Sequence, residues 1–212
     1  MPRYFNAEFL ILKREIYGND LLLRAISPSE GNLALIVKNG ANPNSRRGNM
    51  LDEGNLIAAK VYHKNHYYIS EIELKENFSY LKTDLESIFY FRAILELLCQ
   101  VYIYANKRFF YDVLKILKGC EKLVDREYTL FALIIKIFVI YDILKYPLIC
   151  SISGQKITEG YTNGITFFAL NRKPENKEFK KFSLLTKRSR FKFIRLLFAT
   201  YFDTEFLKGI DL

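Results

Sequence analysis

The chain has 212 residues, half of them hydrophobic, so it can bury a core and is not a disordered protein. It carries 32 Lys and Arg against 23 Asp and Glu, and the net charge of +9 favours a polyanionic partner such as nucleic acid. Its three cysteines form no Cys-x-x-Cys pair, which argues against a zinc site of the usual spacing and fits a reducing, cytoplasmic setting. We expect no membrane contact, because the most apolar stretch, residues 128–144, contains Lys136 and Asp142.

The first third of the chain is rich in short β-type segments. Residues 7–16, 20–26, 33–37, 55–63 and 67–74 are separated by turn signals, among them Tyr17-Gly18-Asn19. Five strands in about 70 residues suit a small barrel of the OB type. We therefore expect an N-terminal OB-fold domain over residues 1–78.

The hydrophobic period then changes from two to three and four, which indicates helices. Apolar residues from Leu81 to Tyr102 predict a first helix, capped by Asn77 or Ser79. A second helix should end near Gly119, and a third should cover residues 128–145 and stop before a proline. The prediction for residues 79–149 is a helical bundle, which makes the fold class α+β.

The C-terminal part has a different composition. Residues 150–170 contain three glycines and read as a loop with a short strand, while residues 182–206 look like two helices. Residues 150–212 hold 12 cations and six anions, so most of the excess charge lies here. We expect residues 171–212 to form a basic helical segment that packs on the helical domain.

A basic loop at residues 38–48 follows the third predicted strand. Its cations and small polar donors suit phosphate binding, although a solvated turn fits the same composition. With basic residues of the predicted strands it gives a candidate DNA-binding set: Lys13, Arg14, Arg24, Lys38, Ser45, Arg46, Arg47 and Lys60. Candidate base-stacking rings are Tyr17 and Tyr62, with Tyr67 and Tyr68 beside them, unless these tyrosines only complete the barrel core and rim.

A second basic cluster lies near the C-terminus and is interleaved with phenylalanines. It could contact DNA, bind the acidic tail of a partner, or form a solvated helix face. Its members are Lys187, Arg188, Arg190, Lys192 and Arg195, preceded by Lys180 and Lys181.

No residue pattern supports catalysis. The chain has no phosphate-binding glycine loop, no dinucleotide fingerprint and no nucleophile elbow. His63 and His66 flank a predicted turn, and a metal there would need a further ligand that the sequence does not show. We expect neither an enzyme nor a cofactor or metal.

Three stretches resemble the RecO family of bacterial DNA repair and recombination mediators. They are LILKREIYGNDLLLRAISPSEG, KNGANPNSRRGNMLDEGNLI and FSYLKTDLESIFYFRAILELL. The residues that match are Tyr17 and Gly18 at the first turn, and Lys38, Gly40, Ala41, Ser45 and Arg46 in the loop. Asn19 stands where the family usually has an acid, and Asn42 where it commonly has Arg.

The resemblance implies an N-terminal OB fold, a helical domain and a small C-terminal region. It implies binding of single- and double-stranded DNA, strand annealing, and work with RecR and the C-terminal tail of the single-stranded-DNA-binding protein to help load RecA. Many members carry a four-cysteine zinc motif, of which only Cys150 remains here, so residues 150–170 should be a degenerate zinc-finger-like loop without metal. The alternative is a protein–protein adaptor that binds acidic tails, with DNA binding secondary.

Overall fold

The computed structural model describes residues 3–42, 48–123, 125–171, 174 and 179–202. Over these residues the chain is α+β, with a five-stranded sheet, a smaller three-stranded sheet and four α-helices, which confirms the predicted class. The chain divides into two compact units, Met1–Ile134 and Ile135–Leu212, which we call the N-terminal and C-terminal units.

The N-terminal unit is built on five strands, each of which overlaps a predicted one. They are β1 (Arg3–Tyr17), β2 (Asp20–Ser27), β3 (Gly31–Val37), β4 (Leu56–His63) and β5 (Tyr67–Glu76). Their order is β1-β2-β3-β5-β4, and β4 pairs back onto β1 to close a barrel. All neighbours are antiparallel except β3 and β5, which are parallel.

The long strand β1 pairs with two neighbouring strands. Its first half pairs with β4 as far as Leu10, and its second half pairs with β2 from Leu10 onward, with a register shift between Ile11 and Lys13. Alternate residues point inward, so Phe9, Ile11 and their counterparts on β2–β5 fill the barrel. The opposite set points outward and carries most of the predicted site residues.

Three helices follow the barrel: α1 (Leu85–Gln100), α2 (Lys107–Gly119) and α3 (Arg126–Ile140). The predicted caps of the first helix were wrong. Asp84 caps α1 by accepting the N–H of Ser87 at 2.8 Å, whereas residues 79–82 form a separate 3-10 turn. The end of α2 was predicted correctly.

The third helix ends five residues earlier than predicted. The chain turns at Asp142, which takes a left-handed backbone with φ of 55°, and the N–H groups of Ile143 and Leu144 both donate to the carbonyl of Phe138. These bonds satisfy a terminal carbonyl and stop the helix before the proline exerts any effect. None of the helices within the described ranges is long and apolar enough to cross a membrane.

The C-terminal unit contains β6 (Glu159–Thr162), β7 (Phe167–Ala169), β8 (Lys180–Ser183) and α4 (Lys187–Tyr201). The strands form a sheet of order β7-β6-β8. The prediction of two helices over residues 182–206 was wrong at its start. Phe182 lies in a strand because β6 supplies a ladder and because its ring packs against those of Phe167 and Phe193.

Candidate nucleic-acid interface

The basic loop can be described only at its ends. Ser45, Arg46 and Arg47 lie outside the described residues. Lys38, at the end of β3, donates to Asp20 at 2.6 Å, and the same carboxylate accepts the N–H of Asn39 at 2.9 Å. These two hydrogen bonds lower the pKa of Asp20, and the bond from Lys38 has the larger effect. The carboxylate of Asp20 in turn raises the pKa of Lys38. The start of the loop is thereby fixed to the β1–β2 turn.

Four of the predicted barrel cations lie beside carboxylates. The pairs are Lys13–Glu15 at 3.2 Å, Arg14–Asp52 at 2.6 Å, Lys38–Asp20 at 2.6 Å and Lys60–Glu71 at 3.1 Å. Exposed pairs of this kind are weak, so a phosphate can compete for the cation, but each carboxylate cancels local positive charge. These four cations therefore do not form a strip of unopposed positive charge.

Two of these cations are brought together by strand register. Lys13 on β1 lies opposite Arg24 on β2, and both side chains are exposed. Lys60 lies on a different stretch of the surface, where β4 pairs with β5. The described members of the predicted set are thus distributed over several strands of the barrel.

The two predicted stacking tyrosines have different surroundings. Tyr17 is 82% exposed at the tip of the β1–β2 hairpin. Tyr62 lies between Tyr4 on β1 and Tyr68 on β5, each directly opposite it in the strand register. We call Tyr4, Tyr62 and Tyr68 the tyrosine row. Sequence reasoning missed Tyr4, because the predicted first strand began at residue 7 whereas β1 begins at Arg3.

Tyr67 does not belong to this row. Its ring stacks on His63 with centroids 4.3 Å apart, and its hydroxyl donates to Glu30 at 3.4 Å. Burial, followed by the charge of Glu30, raises its pKa. His66 lies edge-on to Tyr68 at 6.3 Å. Among the described residues, no group of three or more His, Cys, Asp or Glu could hold a metal ion.

The C-terminal cluster separates into structural and surface residues. Arg190 is buried, and its guanidinium donates to the carbonyls of Leu184 and Leu185 at 3.2 and 3.4 Å, which fixes the turn between β8 and α4. Lys187 and Arg188 are exposed on the first turn of α4, which Thr186 caps by accepting the N–H of Ser189 at 3.2 Å. The remaining two cations of the cluster line a groove.

A groove of about 600 Å³ runs between β8 and α4. We call it the basic groove. Its cationic residues are Lys180 and Lys181 from the strand and Lys192 and Arg195 from the helix. Its apolar residues are Phe182, Phe193, Leu196 and Ala199, and its hydroxyls come from Ser183 and Ser189. The described lining residues include no carboxylate, and residues 179–202 contain seven Lys and Arg but no Asp or Glu.

The basic groove can bind oxyanions. Clustered ammonium groups and a guanidinium attract phosphate or carboxylate oxygens, and low-dielectric apolar walls strengthen that attraction. The barrel surface differs in composition, because carboxylates lie beside four of its cations.

No known protein-family model matches the chain, and no curated protein is significantly similar to it.

Proposed function

We propose that this protein is a DNA-binding recombination mediator. It anneals complementary strands and helps load a recombinase onto protein-coated single-stranded DNA. The observation that carries the proposal is the basic groove, where Lys180, Lys181, Lys192 and Arg195 line one cavity and no described lining residue is a carboxylate. A nucleic-acid backbone is the partner whose charge density matches such a surface.

The barrel supports the same proposal at the level of fold. Its order, with β3 parallel to β5 and β4 closing on β1, supports the proposal of an OB-type barrel. OB barrels commonly bind single strands through cations and aromatic rings. The three stretches that resemble the RecO family fall within this barrel and in the helix that follows it.

Residues 150–170 are proposed to be a degenerate zinc-finger-like loop. The buried Sγ of Cys150 accepts the N–H of Ala169 at 3.4 Å. Hydrogen bonds from Ser153, first from its side chain and then from its N–H, lower the pKa of the thiol to about 6. The hydroxyl of Ser153 and main-chain donors thus stabilise a single sulfur where the resembled family has four.

The mechanism follows from counterion release. Lysines that neutralise phosphates displace condensed cations, so binding is favourable at low salt and weakens as salt rises. Two strands whose charge is screened repel each other less, and annealing then needs no nucleotide hydrolysis. RecR, the tail of the single-stranded-DNA-binding protein and, indirectly, RecA are the proposed partners.

The second candidate function is an adaptor for acidic protein tails. Two features of the basic groove favour it. Leu196 and Ala199 give the groove apolar surface that a phosphate chain does not need, and β8 has no second neighbouring strand among the described residues. An extended acidic peptide could add to the edge of β8 while its carboxylates meet the lysines.

Fluorescence anisotropy with the purified full chain separates the two functions. A labelled single-stranded oligonucleotide, its duplex and an acidic C-terminal peptide are titrated separately, each at several salt concentrations. We expect the oligonucleotides to bind with an affinity that falls as salt rises. Binding of the peptide without binding of either DNA would overturn the mediator and favour the adaptor.

A further inference from the structure

We propose that the tyrosine row ends in a base-stacking site, where an unpaired nucleobase lies on the exposed face of Tyr4. The inference rests on the proposed function, since it concerns how the protein distinguishes a single strand from a duplex. It assigns this role to the barrel surface, apart from any phosphate contacts in the basic groove. The occupant is a base of single-stranded nucleic acid.

The three rings of the tyrosine row lie side by side across three strands. Tyr62 and Tyr68 stack with centroids 4.9 Å apart and an interplanar angle of 14°. Tyr4 follows Tyr62 with centroids 6.0 Å apart and a tilt of 36°. Strand spacing in a sheet is close to the spacing of stacked rings, so outward tyrosines at paired positions are held in this arrangement by the barrel itself.

The two ends of the tyrosine row have different surroundings. At the Tyr68 end the ammonium of Lys38 lies 5.9 Å from the ring centroid, a cation–π contact. At the other end Tyr4 is 63% exposed. The pairing of β2 with β1 begins only at Leu10, so no described strand pairs with β1 beside Tyr4 on the side away from β4. The exposed face of Tyr4, at the end of the tyrosine row, can therefore accept one further flat ring.

Rings that are already ordered bind a further ring at low entropic cost. The neighbours of the row that point inward, Val61 and Ile69, are buried in the barrel and hold the strands in place. A base that stacks on Tyr4 therefore gains its contact energy without first ordering the protein. This is the property that a single-strand platform needs.

The chemistry of the surroundings selects a single strand. In a duplex the bases are paired and stacked on each other, so only an unpaired base can offer its face to Tyr4. Lys38, at the Tyr68 end, is a cation that contacts the row, and it is paired with the carboxylate of Asp20, which a phosphate can displace. The ammonium of Lys38 beside the row favours a ligand that carries phosphate over a neutral aromatic or proline-rich ligand.

The test compares an intact single strand with an abasic strand of equal length, which keeps the phosphates and lacks the bases. The wild-type chain should bind the intact strand about tenfold more tightly. Tyr4→Leu should lose most of that preference and bind the abasic strand as wild type does. Tyr4→Phe should retain the preference, because stacking needs the ring and not the hydroxyl.

Tyr104→Leu is the matched control. Tyr104 is 75% exposed and contacts only Tyr102 among the ring pairs that the structure shows, so its loss removes an exposed ring outside the row. This variant should bind both strands as wild type does. The chain contains no Trp, so quenching of tyrosine fluorescence by the intact strand but not by the abasic one gives a second readout that needs no variant.

The outcomes separate the two proposals. Equal binding of intact and abasic strands by the wild-type chain, without selective quenching, overturns the stacking site and leaves the mediator standing on phosphate contacts. The stacking site is likewise overturned, and the mediator left standing, if Tyr4→Leu folds and still prefers the intact strand over the abasic strand as strongly as wild type does. Absence of binding to both strands and to duplex overturns the proposed function, and the stacking site with it.

Discussion

Replacing the lysines of the basic groove should lower the salt dependence of DNA binding by a calculable amount. Each cation that contacts a phosphate of a single strand contributes about 0.7 to the slope of log affinity against log salt. The four cations of the groove together contribute about 3. Changing Lys180, Lys181 and Lys192 to Gln leaves only Arg195, and the groove's share of the slope should fall to about 0.7.

The difference is large enough to measure by anisotropy. Between about 50 and 200 mM salt, a slope of about 3 weakens binding roughly fiftyfold, whereas a slope of about 0.7 weakens it only about threefold. The triple variant should therefore lose most of its affinity at low salt and approach wild type at high salt. Thermal unfolding of the variant checks that the exposed lysines were not needed for folding.

A charge-matched control distinguishes the groove from net charge. Lys136, Lys145 and Lys156 are exposed lysines of the same C-terminal unit that do not line the groove. Their change to Gln removes the same three charges, and we expect a slope close to that of wild type. Equal slopes for the two triple variants would refute the groove as a phosphate site and reduce its effect to overall charge.

Three further predictions concern other parts of the structure. Asn32→Ala should lower the free energy of unfolding by about 2–3 kcal/mol in a denaturant titration, because the side chain makes three hydrogen bonds to main-chain groups at and after the end of α1. The thiolate absorbance of Cys150 should titrate with a midpoint near pH 6; since its folded pKa is lowered from about 9, its contribution to stability is complete above pH 9 and is lost as pH falls through 6. Lys38→Ala should weaken DNA binding less than Lys192→Ala in anisotropy, because Asp20 already neutralises the first lysine, and a larger loss at Lys38 would contradict this order.

The barrel could be predicted because its strands alternate apolar and polar residues between turn signals. Residues 20–26 show this clearly, since Leu21, Leu23 and Ala25 are buried while Arg24 is exposed. The alternation specifies which residues point outward. It does not specify which outward residues become neighbours, since that depends on the pairing of β1 with β4, whose paired residues are 46 to 60 positions apart.

The site was harder to predict because its chemistry depends on contacts between distant positions. Lys38 was expected to face phosphate, and its pairing with Asp20, 18 residues earlier, follows from the β2–β3 hairpin. Strand β8 was missed because Lys180 and Lys181 precede a helical pattern and have no strand signal of their own. A partner strand, β6, stabilises that segment, and it brings the two lysines to the cations of α4.

If the proposed function holds, the two surfaces make different physical contributions to nucleic-acid binding. Four of the described barrel cations have carboxylate neighbours, so they can contribute little counterion release, and this surface must add ring stacking if it is to hold a strand. The basic groove has the opposite composition, with cations, no described carboxylate and aromatic rings that are buried, so it can bind phosphate but not stack on bases. The slope of log affinity against log salt therefore reports on the groove, and the preference for an intact over an abasic strand reports on Tyr4.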